Sequence, residues 1–194
     1  MGNNRLEVKD LINIGLFTAL YFIIITPIGI AGIIPVIMFF LPALMALIGA
    51  IPLILLVART QKFGALSISG IIVSLILFIM GHPAISLLTG ITMPLLGDFI
   101  MYLGKYKKWL HMYIGYAVFS FWSIGSLLPF YFMREVYFQH LTEKYGTAYT
   151  QTLDVLFTWK TVPIIFVLCA LGAVIGLFIT RKLFKKHFSR AGII

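Results

Sequence analysis

Acidic residues are scarce in this sequence. Only 6 Asp and Glu stand against 15 Lys and Arg, and charged residues make up 11% of the 194. Soluble domains carry roughly 25%. With 61% of the chain apolar, a soluble fold of this length could not hide that surface, so lipid must solvate part of it. Cysteine is nearly absent. Cys169 stands alone, which excludes an intramolecular disulfide and a multi-cysteine metal site. Its place in an apolar run suits a small buried filler. No Pro/Gly/Ser-rich linker, low-complexity tract or repeat interrupts the chain, and a single membrane domain over 1–194 is expected.

Familiar catalytic motifs are missing too. The histidines are His82, His111, His140 and His187, and none belongs to a His-Glu-x-x-His metal site. There is no Gly-x-Ser-x-Gly elbow and no Gly-x-x-x-x-Gly-Lys phosphate loop. Ser120, Ser123 and Ser126 share one apolar segment, with no histidine clearly at their depth. The chain is therefore not expected to be an enzyme, to hydrolyse ATP, or to hold a metal or cofactor. The net charge of +9 does not signal nucleic acid, because the basic residues fall in short runs between apolar stretches.

Those stretches are what the sequence has in abundance. About 20 residues cross a hydrocarbon core of about 30 Å. Six segments qualify, at about 10–29, 32–58, 63–80, 83–104, 108–132 and 160–184, with an outer connection over about 133–159. The first run, 11–28, exceeds the roughly 7–15 residues of a signal-peptide core, so a retained helix is expected. The second is long, and Pro35, Pro42 and Pro52 favour one bent span. Charge supports this count. With both termini inside, the cytoplasmic side carries Arg5, Lys9, Arg59, Lys62, Lys105, Lys107, Lys108, Arg181, Lys182, Lys185, Lys186 and Arg190, and the outside carries Arg134, Lys144 and Lys160. Splitting the second segment would reverse every later turn. The expected fold is an all-α integral membrane protein of the bacterial cytoplasmic membrane: a six-transmembrane-helix bundle, N-in and C-in, with its second span bent.

Two small-residue pairs stand out, Gly15/Ala19 and Gly172/Gly176. Small residues four apart let another helix come close, either from a partner protein or within the bundle. Asp98 is the one carboxylate well inside a span, which makes it a functional candidate; a helix-end ion pair with Lys105 or Lys108 is the alternative. The outer face mixes aromatic and polar residues: His82, Trp122, Ser123, Ser126, Tyr131, Arg134, Glu135, Tyr137, His140, Glu143, Lys144, Tyr145, Asp154, Trp159 and Lys160. Such a mixture suits a small-molecule pocket or an interfacial aromatic belt.

The pattern resembles the substrate-binding S components of energy-coupling-factor (ECF) transporters over nearly the whole chain. The likeness is strongest in Val8 to Phe22 (VKDLINIGLFTALYF), in Pro35 to Pro52 and in Gly81-His82-Pro83, and these stretches look most like the Trep_Strep (MptD-like) group. The resemblance implies a six-helix protein that captures a vitamin-like or other micronutrient from outside. It further implies docking on a transmembrane coupling (T) subunit and two cytoplasmic ATPases. First-span Ala-x-x-x-Ala strips serve for docking in that family, and Gly15 and Ala19 occupy the matching positions here. The family's pocket, built from outer halves of late helices and outer loops, points to His82, Trp122, Ser126, Arg134, His140 and Trp159 as substrate-binding candidates. A tetrapyrrole such as haem is one narrower option, with His82 and His140 as axial ligands and Arg134, Lys144 or Lys160 meeting propionates. The rival reading is an ATP-independent secondary transporter, which should need Asp98.

Overall fold

In lipid a backbone has to satisfy its own hydrogen bonds, and a helix does so within one segment. The computed structural model describes residues 5–184, and these contain helices and turns with no strand among them. In order they are α1 (Val8–Ala31), α2 (Pro35–Thr60), α3 (Ala65–Ile79), α4 (Ala84–Leu103) and α5 (Trp109–Ser120), followed by a 3-10 helix (Phe121–Leu127). Then come α6 (Pro129–Phe132), α7 (Arg134–Tyr145), α8 (Thr147–Leu156), a 3-10 turn (Trp159–Thr161) and α9 (Val162–Leu183). Lys185, Lys186, His187 and Arg190 lie outside the described residues.

Four helical stretches are long and apolar enough to cross a membrane: Val8–Ala31, Pro35–Thr60, Ala84–Leu103 and Trp159–Leu183. The other two expected crossings look different. α3 has 15 residues, about 22 Å at the ~1.5 Å helical rise, short of a ~30 Å core. The segment 108–132 is composite, because α5 gives way to the 3-10 helix and then α6. Its serines help to cause this. Ser120 Oγ donates to Tyr116 O, Ser123 Oγ to Ser120 O and Ser126 Oγ to Ser123 O, each at 2.8 Å. Such hydroxyls compete with the backbone ladder. Pro129 then withholds an N–H. α2 is one unbroken helix that Pro35 begins and that contains Pro42 and Pro52. The outer connection expected over 133–159 is itself helical, formed by α7 and α8.

Polar contacts gather alternate turns at one end. Lys62, in the α2–α3 turn, reaches Asp10 Oδ2 at 2.7 Å and Glu7 Oε1 at 3.2 Å at the start of α1. Asp98, near the end of α4, accepts from the first residues of α3. Arg181, near the end of α9, lies 4.4 Å from the Trp109 ring centroid at the start of α5. This end, with Lys105, Lys107 and Lys108 beside it, is the basic end. α2 packs along α9, and Gly172 and Gly176 are the reason. A Cβ on either would collide with α2 carbonyl oxygens, of Ala43 and of Leu47 respectively. Outside, large apolar residues such as Ile12, Leu16, Ile23, Val167 and Leu171 are exposed, a surface suited to lipid.

Candidate functional site

At the end opposite the basic turns, the second half of α1, the first half of α2 and the end of α3 enclose a cavity of about 480 Å³. The 3-10 helix forms its floor, and α7 and α8 cover it. The local reason lies in α7. Its residues Tyr137, His140, Leu141, Lys144 and Tyr145 line the cavity, and their three- and four-residue spacing is one helical face. No residue of α7 is fully buried; Tyr137 and Leu141 pack partly on the core, the Tyr137 ring 4.9 Å from that of Phe130, and the rest of that face borders the cavity. Gly146, at φ +85°, makes the turn into α8, and Tyr149 joins the lining from there. Burial raises the Tyr137 and Tyr149 hydroxyls above the usual tyrosine range, with neighbouring tyrosines adding to it, so both stay protonated donors.

The floor is largely apolar. Trp122 is 5% exposed, and its indole N–H donates to Tyr21 Oη at 3.0 Å. Thr89 Oγ1 donates to the Trp122 carbonyl at 3.1 Å. Trp122 therefore offers apolar ring surface to the cavity and no free donor. Around it lie Ile25, Leu41, Met45, Leu127 and Phe130, all buried. Ser126 and Ser123 also line the cavity, each with its hydroxyl proton already directed at a backbone carbonyl, so they offer acceptor lone pairs.

Four of the six expected ligand residues, His82, Trp122, Ser126 and His140, thus border one space. Arg134 and Trp159 are not among its lining residues. Arg134 is occupied in holding the lid base. Its guanidinium donates to Phe157 O at 2.7 Å and Phe130 O at 3.1 Å, and it pairs with Asp154. Trp159 is 62% exposed and packs on Tyr131 and Phe132 outside the lining. The contribution of α1, through Phe22, Thr26 and Gly29, was not foreseen. α1 is apolar on every side, so no periodicity distinguishes its inward face.

Asp98 stands apart from this cavity. It pairs with neither Lys105 nor Lys108. Fully buried, its Oδ2 accepts from Gly64 N at 2.9 Å, Ser67 N at 3.0 Å and Ser67 Oγ at 2.8 Å, and Oδ1 accepts from Tyr106 Oη at 2.7 Å. Cys169 is buried against Pro42 O and Ser120 O. No group of three metal-ligating side chains occurs among the described residues.

The two small-residue pairs separate cleanly. Gly172 and Gly176 are consumed by α2. At Gly15 an added Cβ would meet nothing within 4 Å. Gly15 and Ala19 line an open groove of about 250 Å³ with Thr18, Phe22, Ile23, Ile72 and Ile76 on α1 and α3.

Residues 8–190 match the model of a family described as a hypothetical bacterial integral membrane protein, Trep_Strep. No curated protein and no solved structure matches.

Proposed function

We propose, from the premise that this chain belongs to the Trep_Strep family of hypothetical bacterial integral membrane proteins, that it is the substrate-binding S component of an ECF-type importer. In this reading the chain crosses the membrane six times with both termini inside. It captures a vitamin-like or other micronutrient in the outer cavity and docks on a T subunit that couples it to two ATPases. The carrying observation is the roofed cavity of about 480 Å³ at the end opposite the basic turns, a size and apolar character typical of small-molecule sites. The basic end supports the orientation. The open Gly15/Ala19 groove supports docking, since those residues serve no packing within the bundle. The chain has no phosphate loop of its own, so energy comes from partners.

Proton or sodium coupling through Asp98 has little to recommend it, because four donors already occupy that carboxyl. A tetrapyrrole substrate is favoured by one observation: His82 and His140 border the same space. Of the three basic residues considered for propionates, only Lys144 lines it. A Soret band in purified protein, fading in His82→Ala or His140→Ala, is expected in that case.

The direct test is mass spectrometry of small molecules carried through purification. Wild-type protein should retain a compound that Thr26→Trp, which places a bulky ring in the cavity lining, does not. The same compounds in both, or none in either, would count against capture in this cavity.

A further inference from the structure

The cavity lining carries charge of one sign. Lys144, His82 and His140 are present, and no Asp or Glu is. Several other cations have partners. Lys62 is held by Asp10 and Glu7, Arg134 by Asp154, and Arg181 lies over Trp109. Lys144 makes no ion pair among the described residues. Its ammonium lies 5.3 Å from the Tyr145 ring centroid. The nearby carboxylate, Glu143, is not part of the lining and lies 3.9 Å from His140 Nδ1 and 3.4 Å from Gln139 Nε2.

Position sharpens the chemistry. Lys144, His140 and Tyr145 are exposed, while Met45, Trp122, Leu127 and Phe130 are buried at the floor. A charged group at the wet mouth keeps part of its hydration, and an apolar body on the floor loses water it does not need. Six aromatic side chains along the lining favour flat groups.

We infer that the ligand is a small amphiphilic acid. Its flat apolar body lies on the Trp122 floor, and its anionic end meets Lys144 at the mouth, with His82 and His140 as further donors. This rests on the capture reading above and adds the ligand's polarity and direction.

The test uses the full chain in nanodiscs of zwitterionic lipid and three probes that share a ring system: 1-naphthaleneacetate, 1-naphthaleneacetamide and 1-naphthalenemethylamine. Calorimetric titration should show the acid binding at least tenfold more tightly than the amide, and the amine weakest. Lys144→Gln, an exposed change that the fold tolerates, should bring the acid to the level of the amide. Lys160→Gln, outside the lining, should leave the preference intact. An amide or amine that binds as tightly as the acid overturns the inference. So does an acid preference that persists in Lys144→Gln, or an acid that does not bind. Thr26→Trp separates the two levels. If it abolishes binding of probes that show no charge preference, only the acid inference falls. If it leaves their binding unchanged, the cavity is not the capture site and the functional reading falls with it.

Discussion

Asp98 acts on a helix other than its own. The start of α3 follows Gly64, at φ +101°, which has no side chain to cap it. The free N–H groups there are satisfied from α4, across the packing interface, by Asp98. Tyr106 completes the set from a turn in which Lys105 and Tyr106 both have positive φ, a conformation that costs roughly 1–2 kcal/mol per residue. The Oη–Oδ1 bond at 2.7 Å helps to offset that cost. Asp98→Ala leaves these donors buried and unpaired, and a loss on the order of 3 kcal/mol is expected in thermal unfolding. Asp98→Asn keeps one acceptor and should lose less. An Asp98→Asn variant that folds should still take up substrate, which a proton-coupled mechanism through this carboxyl does not allow.

Lys62 is a second residue whose role is structural. It closes a clasp on Glu7 and Asp10. Hydrogen bonds from Lys9 and then Lys62 hold Glu7 below its ordinary value of 4.5. The clasp's contribution through Glu7 is therefore complete above that value and lost as pH falls through the lowered one. Asp10, and then Glu7, hold Lys62 above 10.5, so its contribution is complete below 10.5 and lost as pH rises through the raised value. Amide exchange at the first turn of α1, corrected for its intrinsic pH dependence, should be slowest between these limits. In Lys62→Met the alkaline loss should vanish, while part of the acid loss persists through Lys9.

At the scale of elements, the contrast between the glycine pairs is the sharpest prediction. Gly172→Leu forces α9 away from the α2 backbone, and about 1–3 kcal/mol or more should be lost. Gly15→Leu projects into an open groove and should unfold at nearly the wild-type temperature. A similar loss in both would mean that α1 packs more tightly than its geometry indicates.

Much of the helical layout was legible because long apolar runs broken by Gly81-His82-Pro83 or by lysines leave few alternatives. The expected segment 10–29 became Val8–Ala31, and 83–104 became Ala84–Leu103. The 3-10 helix after Ser120 was not foreseen. Its signal is the three-residue spacing of Ser120, Ser123 and Ser126, which matches the 3-10 period. The cavity was half legible. Tyr137, His140, Lys144 and Tyr145 stood out as outer-face residues, but the helix α7 that aligns them with Leu141 along one side of the cavity was not foreseen. Arg134 looked like a ligand residue because its carbonyl partners, at Phe130 and Phe157, come from chain folding that no local pattern reveals.

The whole molecule has two ends with different equipment. One gathers Lys62, Lys105, Lys107, Lys108 and Arg181 around tightly tied turns. The other holds a roofed cavity with an apolar floor and a cationic mouth. Between them, the Gly15/Ala19 groove opens sideways on α1, where lipid or another helix has to cover it. A substrate-binding subunit that relies on others for energy needs these features together: a site on one side, a smooth flank and no nucleotide motif. The most direct measurement is affinity purification of the chain from bacterial membranes, with its co-purifying proteins identified. A transmembrane partner and two ATPases are expected with the wild type, and their loss from Gly15→Leu and Ala19→Leu while the cavity still binds its ligand. Wild-type protein that takes up substrate with no such partners, or unchanged complexes in both variants, would contradict this expectation.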